Sequence, residues 1–72
     1  MSEYLVIYEQ GDSGWAAYCP DLPGLGVAGA TRTRVEDLIR EGIDVHIASL
    51  REHGEAVPKP SSTADVVAVA VA

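Results

Sequence analysis

Residues 31–54 read TRTRVEDLIREGIDVHIASLREHG, and they contain the only long run of helical periodicity in the sequence. Apolar residues recur there at spacings of three and four, which predicts an amphipathic helix with one apolar stripe. The stripe consists of Val35, Leu38, Ile39, Gly42, Ile43, His46 and Leu50. Thr31 is a suitable N-cap and Gly54 a suitable residue just past the C-terminus. We therefore expect one helix over about residues 32–53.

A helix with one apolar stripe needs a sheet to cover it, and the flanking sequence is rich in strand signals. The predicted strands cover about residues 3–9, 15–19, 25–30 and 65–71, with a proline-containing linker at residues 55–63. Glycines in residues 10–14 predict a hairpin turn, and the prolines of residues 20–24 exclude regular structure. The predicted fold class is α+β in the order β-β-β-α-β, a small, mainly antiparallel sheet with one long helix on one face.

The chain is short enough that its own core gives limited stability. Its 72 residues make one domain, and a domain of this size buries only about 60% of its unfolded surface. Cys19 is the single cysteine, which excludes an internal disulfide. His46 and His53 have no third metal ligand at useful spacing, so we expect no metal site. Oligomerisation remains as the expected stabiliser.

The predicted sheet has more apolar surface than one helix can cover. Residues 4–8 and 66–72 are apolar on both strand faces, and the terminal segment carries no charge after Asp65. An uncharged strand at a sheet edge invites pairing with another chain. We infer that a second subunit or a different protein covers the other face or the edge. The alternative is that this strand lies in the centre of the sheet.

The charge of the chain is acidic and unevenly distributed. The net charge is −6, and residues 1–30 contain four acids and no lysine or arginine. Nucleic-acid binding needs a basic patch, so we do not expect it. The acidity favours a basic partner, although it is also consistent with a role in solubility alone. Since no signal peptide is recognisable and residues 66–72 are too short to span a membrane, we expect a cytoplasmic protein.

Motifs that would support catalysis or cofactor binding do not meet the requirements of that chemistry. Gly24, Gly26 and Gly29 spell G-x-G-x-x-G, but the helix cap follows the last glycine, so no helix N-terminus receives a phosphate. Cys19 has no activating cation nearby in sequence, and His46 lies on the apolar stripe. The first strand has acids only at its ends, which argues against a two-metal nuclease. We expect no catalytic residue, no cofactor and no metal.

Several segments resemble one family. Residues 18–25, YCPDLPGL, the later Gly29-x-Thr31 and residues 54–61, GEAVPKPS, are similar to the HicB family of antitoxins. The resemblance implies a partial RNase H-like fold without nuclease activity. It also implies binding of a HicA toxin, a small basic mRNA interferase whose RNA-binding surface and catalytic histidine the antitoxin covers. Many members add a C-terminal DNA-binding segment. We see none after the last predicted strand and expect no operator binding.

The sequence thus predicts an antitoxin-like binding module. The expected partner-binding residues are Tyr8, Glu9, Asp12, Trp15, Asp21 and Leu22. The acids would pair with toxin cations and the aromatics would be buried anchors, although Trp15 is equally suited to packing in the hairpin. One alternative function is an orphan HicB-like homo-oligomer, a dimer or tetramer, that binds proteins or ligands without a toxin. Another is an enzyme that uses Cys19, His46 or the carboxylates.

Overall fold

The computed structural model describes residues 2–71, which form three strands followed by one helix. The elements are β1 (Ile7–Gln10), β2 (Trp15–Tyr18), β3 (Gly26–Gly29) and α1 (Arg32–Glu52). The strands are antiparallel neighbours in the order β1-β2-β3. The predicted α+β class, with a small antiparallel sheet and one long helix, is confirmed.

Residues at both ends of α1 fix its length. Thr31 is extended, with φ of −129°, and its hydroxyl accepts a hydrogen bond from the Arg34 N–H at 3.2 Å. Gly54 adopts a left-handed conformation, with φ of +69°, and the Glu55 N–H donates to the Leu50 carbonyl at 2.8 Å. This is the Schellman arrangement that ends helices at glycine. The chain therefore leaves the helix sharply and enters the linker.

The core lies between α1 and the sheet. Val35 and Ile39 of α1 are fully buried and pack with Ala17 of β2. Half-buried residues surround this cluster: Val6, Tyr8, Trp15, Leu25, Val27 and Ile43. Gly42 is explained by close packing, because a Cβ there would lie 3.1 Å from the Leu25 Cδ1. An alanine at this position would therefore require the side chain of Leu25, the residue before β3, to move by a few tenths of an ångström.

The first strand begins at Ile7, four residues later than predicted. Extending the register of β1 on β2 would place Leu5 opposite Pro20, and a proline has no N–H to donate to the ladder. The carbonyl of Cys19 instead accepts from the Leu22 N–H at 3.1 Å as the chain turns. The ladder therefore stops where β2 meets the proline.

The predicted strand at residues 65–71 is not formed. Within residues 2–71 no strand follows α1, and Val66 and Val71 are 95% and 88% exposed; residue 72 lies outside the described part. A strand requires a pairing edge to satisfy its backbone groups, and here the segment extends away from the body. The radius of gyration is accordingly 14.3 Å, whereas a compact chain of this length gives about 11 Å.

We predict that Gly14→Ala destabilises the hairpin. A Cβ at residue 14 would lie 2.5 Å from the carbonyl oxygen of Gly29, so the backbone must move, at a cost of about 1–3 kcal/mol. The matched control is Gly11→Ala in the same turn, where the nearest atom is 3.9 Å away. Urea denaturation measures both free energies of unfolding. Equal losses in the two variants would contradict the close approach.

Candidate protein-binding surface

The sheet has one face against α1 and one face that α1 does not cover. Tyr8, Trp15 and Ala17 point towards the helix, and side chains alternate along a strand. The opposite side, here called the outer sheet face, consists of Ile7, Glu9, Ala16, Tyr18, Gly26 and Ala28. All are exposed except Ile7, which is half-buried. This face is largely apolar, and Tyr18, at 41% exposed, is its largest accessible side chain.

Acidic residues border the outer sheet face at the hairpin. Glu9 lies on the face itself, and Asp12 is exposed in the turn between β1 and β2. An open depression lies beside them, with Ser13, Ala16 and Ala28 among its lining residues. An apolar surface with a charged rim is the usual composition of a protein interface.

Tyr8 and Trp15 lie on the face of the sheet that packs against α1, and the guanidinium of Arg32 lies over both rings. The guanidinium of Arg32 is 4.4 Å from the Tyr8 ring centroid and 5.7 Å from that of Trp15. The Arg32 Nε also donates to the Glu36 carboxylate at 3.1 Å. Both rings are half-buried, so they contribute to packing at the hairpin end and present only part of their surface. The first residue of the helix therefore brings a positive charge to a sheet that has none of its own.

Asp21 holds the linker. Its carboxylate accepts from the N–H groups of Ser61 and Ser62, both at 3.0 Å, and from their hydroxyls at 3.1 and 2.8 Å. These bonds, led by the Ser62 and Ser61 backbone donors, lower the pKa of Asp21 from 3.8 to about 2. Nearby, the Tyr4 hydroxyl donates to the Pro58 carbonyl. We call these two contacts the linker clamp.

The six residues predicted to bind a partner do not form one patch. Leu22 is fully buried, and the carboxylate of Asp21 accepts hydrogen bonds from the linker, so both residues make contacts within the chain. They also lie beyond the end of β2 that is opposite the hairpin. Glu9 is on the outer sheet face, while Tyr8 and Trp15 face the helix. Tyr18 was not among the residues predicted to bind a partner, although strand alternation places it on the face opposite Trp15.

The residues considered for catalysis lie in the protein interior or on α1 and at its C-terminal end. Cys19 is 2% exposed, and His46 is half-buried on α1. The Nδ1 of His53 is 2.7 Å from the Ser49 carbonyl oxygen at the end of the helix. Across the described chain, no three His, Cys, Asp or Glu side chains are grouped to hold a metal ion. Nor does any helix in residues 2–71 have the length and apolarity to cross a membrane.

We predict that the linker clamp weakens in acid. The pKa of Asp21 is lower in the folded chain than its ordinary value of 3.8, so its contribution is complete above about pH 4 and is lost as the pH falls towards 2. Backbone amide exchange at Ser61 and Ser62 measures the clamp. Asp21→Asn should lower the protection factors of these two amides, which are corrected for the intrinsic pH dependence of exchange, and should remove the pH dependence of those factors in that range. The control Asp12→Asn deletes the same charge from the turn, and an equal effect there would argue against the clamp.

A second prediction concerns the cation over the aromatic rings. Arg32→Ala should shift the emission of Trp15, the only tryptophan, to longer wavelength, because the ring becomes more hydrated. The expected loss of stability is about 0.5–1 kcal/mol. Arg40→Ala, on the exposed side of the same helix, should change neither quantity. An unchanged emission spectrum in the Arg32 variant would show that the contact does not persist in solution.

Comparison with known proteins identifies the family. The protein-family model described as "HicB_like antitoxin of bacterial toxin-antitoxin system" matches residues 4–70. A search of the curated proteins found no match. The matched region contains the three strands, α1 and the linker clamp. Because the match covers nearly all of its length, this chain belongs to the family of HicB-like antitoxins of bacterial toxin–antitoxin systems.

Proposed function

We propose that this chain neutralises a small, basic HicA-type mRNA interferase by covering the RNA-binding and catalytic surface of that toxin. Family membership implies a toxin partner. The observation that carries the more specific proposal is the outer sheet face, which is exposed, largely apolar and bordered by Glu9 and Asp12. Such a surface suits a protein whose own RNA-binding side is cationic.

Neutralisation of this kind requires no chemistry from the antitoxin. A toxin that cleaves RNA is inactive while another protein occupies the surface that receives the RNA. The function therefore depends on affinity and lifetime of the complex, and the dissociation rate is the quantity that interface residues mainly control. We accordingly propose a binding protein, without catalytic activity or a cofactor, that acts in the cytoplasm where messenger RNA is found.

Different residues would contribute in different ways. Tyr18 is the accessible aromatic of the outer sheet face, and buried aromatics supply much of the energy at interfaces. Glu9 and Asp12 would pair with toxin lysines or arginines, and the exposed parts of Tyr8 and Trp15 would extend the contact at the hairpin end. The roles of Asp21 and Leu22 are indirect, since they hold the linker and the turn in position.

The overall charge adds to the rate of encounter. The chain has a net charge of −6, and opposite charges on two proteins increase their association rate at low salt. The same charge opposes direct binding of nucleic acid. We therefore expect association with the toxin to slow as ionic strength rises, because salt screens the attraction.

The test is co-expression with any small basic protein that the neighbouring reading frame encodes. The wild-type chain should rescue growth and co-purify with that protein. The double variant Glu9→Arg/Asp12→Arg should weaken binding at least about tenfold, because it places like charges against the toxin. The control Asp37→Arg/Glu41→Arg makes the same charge change on exposed positions of α1 and should bind nearly normally.

Two results would count against this proposal. Equal weakening by both double variants would show that net charge, and not the outer sheet face, governs binding. Failure of the wild-type chain both to rescue growth and to co-purify would reject a toxin partner. That second result would favour the orphan module, a homo-oligomer of HicB-like chains, for which the exposed C-terminal valines are the supporting observation.

A further inference from the structure

A groove lies beside the second half of α1, away from the outer sheet face. It is formed between α1, the N-terminal residues 2–6 and the linker, and its volume is about 490 Å³. Its apolar lining is provided by Tyr4, Ile43, Ile47 and Val57, each of which is half-buried. Of the lining residues that the structure describes, none belongs to the outer sheet face. We call this site the α1 groove, and a molecule bound in it need not compete for the outer sheet face.

The walls of the α1 groove are joined within the chain itself. The Tyr4 hydroxyl donates to the Pro58 carbonyl, which ties the N-terminal residues to the linker. At the end of α1, the left-handed conformation of Gly54 turns the chain, and Val57 then lines the same groove as Ile43. A site that is already formed loses less conformational entropy when it binds a partner.

Two opposite charges lie along the α1 side of the groove. Asp44 and Arg51 both line it, and both are exposed. They are seven residues apart, which is two helical turns or about 10 Å along the axis of α1. Within residues 2–71 the ion pair that forms joins Arg32 to Glu36. The charges of Asp44 and Arg51 are therefore available to a molecule that binds in the groove.

The apolar surface continues from the groove onto the exposed side of α1. Ala48 lines the groove between the two charges, and Val45 lies three residues before it, on the adjacent helix surface. Val45 is 64% exposed, and among the described residues of α1 it is the one large hydrophobic side chain in the exposed class. A small molecule held inside the groove would leave Val45 in water, whereas an elongated partner would cover it.

We propose that the α1 groove binds an amphipathic helix of a partner protein other than the toxin. Large aliphatic side chains at spacings of three and four residues on that helix enter the groove, as in other helix-in-groove complexes. An acid of the bound helix pairs with Arg51, and a base two turns further along pairs with Asp44. Acids are favourable near the N-terminus of a helix and bases near its C-terminus. The bound helix therefore runs antiparallel to α1.

Two other occupants fit this groove less well. A strongly basic toxin gains little attraction from a site whose two charges cancel, whereas Glu9 and Asp12 at the hairpin are both acidic. A second copy of α1 would present Val45 as its one exposed large hydrophobic residue. One valine is too small to fill a groove of about 490 Å³.

Binding of a designed helix to the full chain tests the proposal. The probe is a fluorescein-labelled peptide of about 15 residues, long enough to form a helix. It has leucines at spacings of three and four, a glutamate in its first turn and an arginine two turns later. Fluorescence anisotropy should give a dissociation constant in the micromolar range. A control peptide with the glutamate and the arginine exchanged should bind at least about tenfold more weakly, because it brings like charges together.

Variants of the protein separate recognition by the groove from general attraction to leucine. Asp44→Arg/Arg51→Asp keeps the net charge of −6 and should invert the preference, so that the control peptide binds more tightly. Ala48→Glu places a charge on the groove lining and should weaken binding of the first peptide at least about tenfold. The matched control is Ser49→Glu, at an exposed position outside the lining, which should bind normally.

Several results would overturn the proposal. These are no binding of either peptide, equal binding of both, or a preference that the charge exchange leaves unchanged. Peptide-induced amide shifts in NMR spectra that are confined to Ala16 and Tyr18 would place the helix on the outer sheet face. Self-association that Ala48→Glu abolishes and Ser49→Glu preserves would show that a second copy covers the groove.

The toxin proposal can fail or stand separately from this one. Asp44→Arg/Arg51→Asp should leave rescue of growth and co-purification with the toxin unchanged, because it does not alter the outer sheet face. Loss of co-purification in that variant would assign the α1 groove to the toxin and overturn a separate helical partner. Failure of the wild-type chain to bind a toxin would reject only the toxin proposal, since the peptide measurements use this chain alone.

Discussion

A single helix can cover only one face of a sheet, and this constraint governs the rest of the structure. α1 buries Val35 and Ile39 against Ala17, and no second layer in the described chain covers the other side. The core of the described residues is correspondingly small, with five buried hydrophobic residues. A domain of this size is marginally stable on its own. We therefore expect association with another protein chain to add stability, because the surface that α1 leaves uncovered is also the surface that we propose a partner recognises.

The turn after β2 fixes the position of the linker. The prolines and the turn after β2 end the ladder early and bury Leu22, and Asp21 is thereby positioned to bind the linker through Ser61 and Ser62. A carboxylate that accepts several hydrogen bonds stays ionised and keeps them. Through Asp21, the DLPG segment (residues 21–24) therefore holds the linker, which lies about 40 residues later in the sequence. It determines the point at which residues 64–71 leave the body, while the hairpin at the other end of the sheet carries Glu9 and Asp12.

Much of the fold could be predicted from local sequence, and the arrangement of the surface could not. The spacing of apolar residues and the Thr31 and Gly54 caps specify α1 because these signals act within a few residues. The prediction of a terminal strand is wrong for the single chain. The composition of Val66–Val71 suits a strand, but it does not provide a sheet edge with which that strand could pair. Arg32 over Tyr8 and the binding of Asp21 to Ser61 join residues far apart in sequence, so composition and periodicity contain no signal for them. The toxin-contact residues stay a prediction.

The central claim is that this chain leaves part of its sheet to be covered by other protein chains. Hydrogen–deuterium exchange on the protein alone, over about a hundredfold range of concentration, tests it most directly. We predict that amides of β1 and of residues 64–71 become protected as concentration rises, while the amides of α1 around Ile39 stay protected throughout. Protection of β1 and of residues 64–71 that is complete and independent of concentration would contradict the claim, because it would show that one chain satisfies its own sheet.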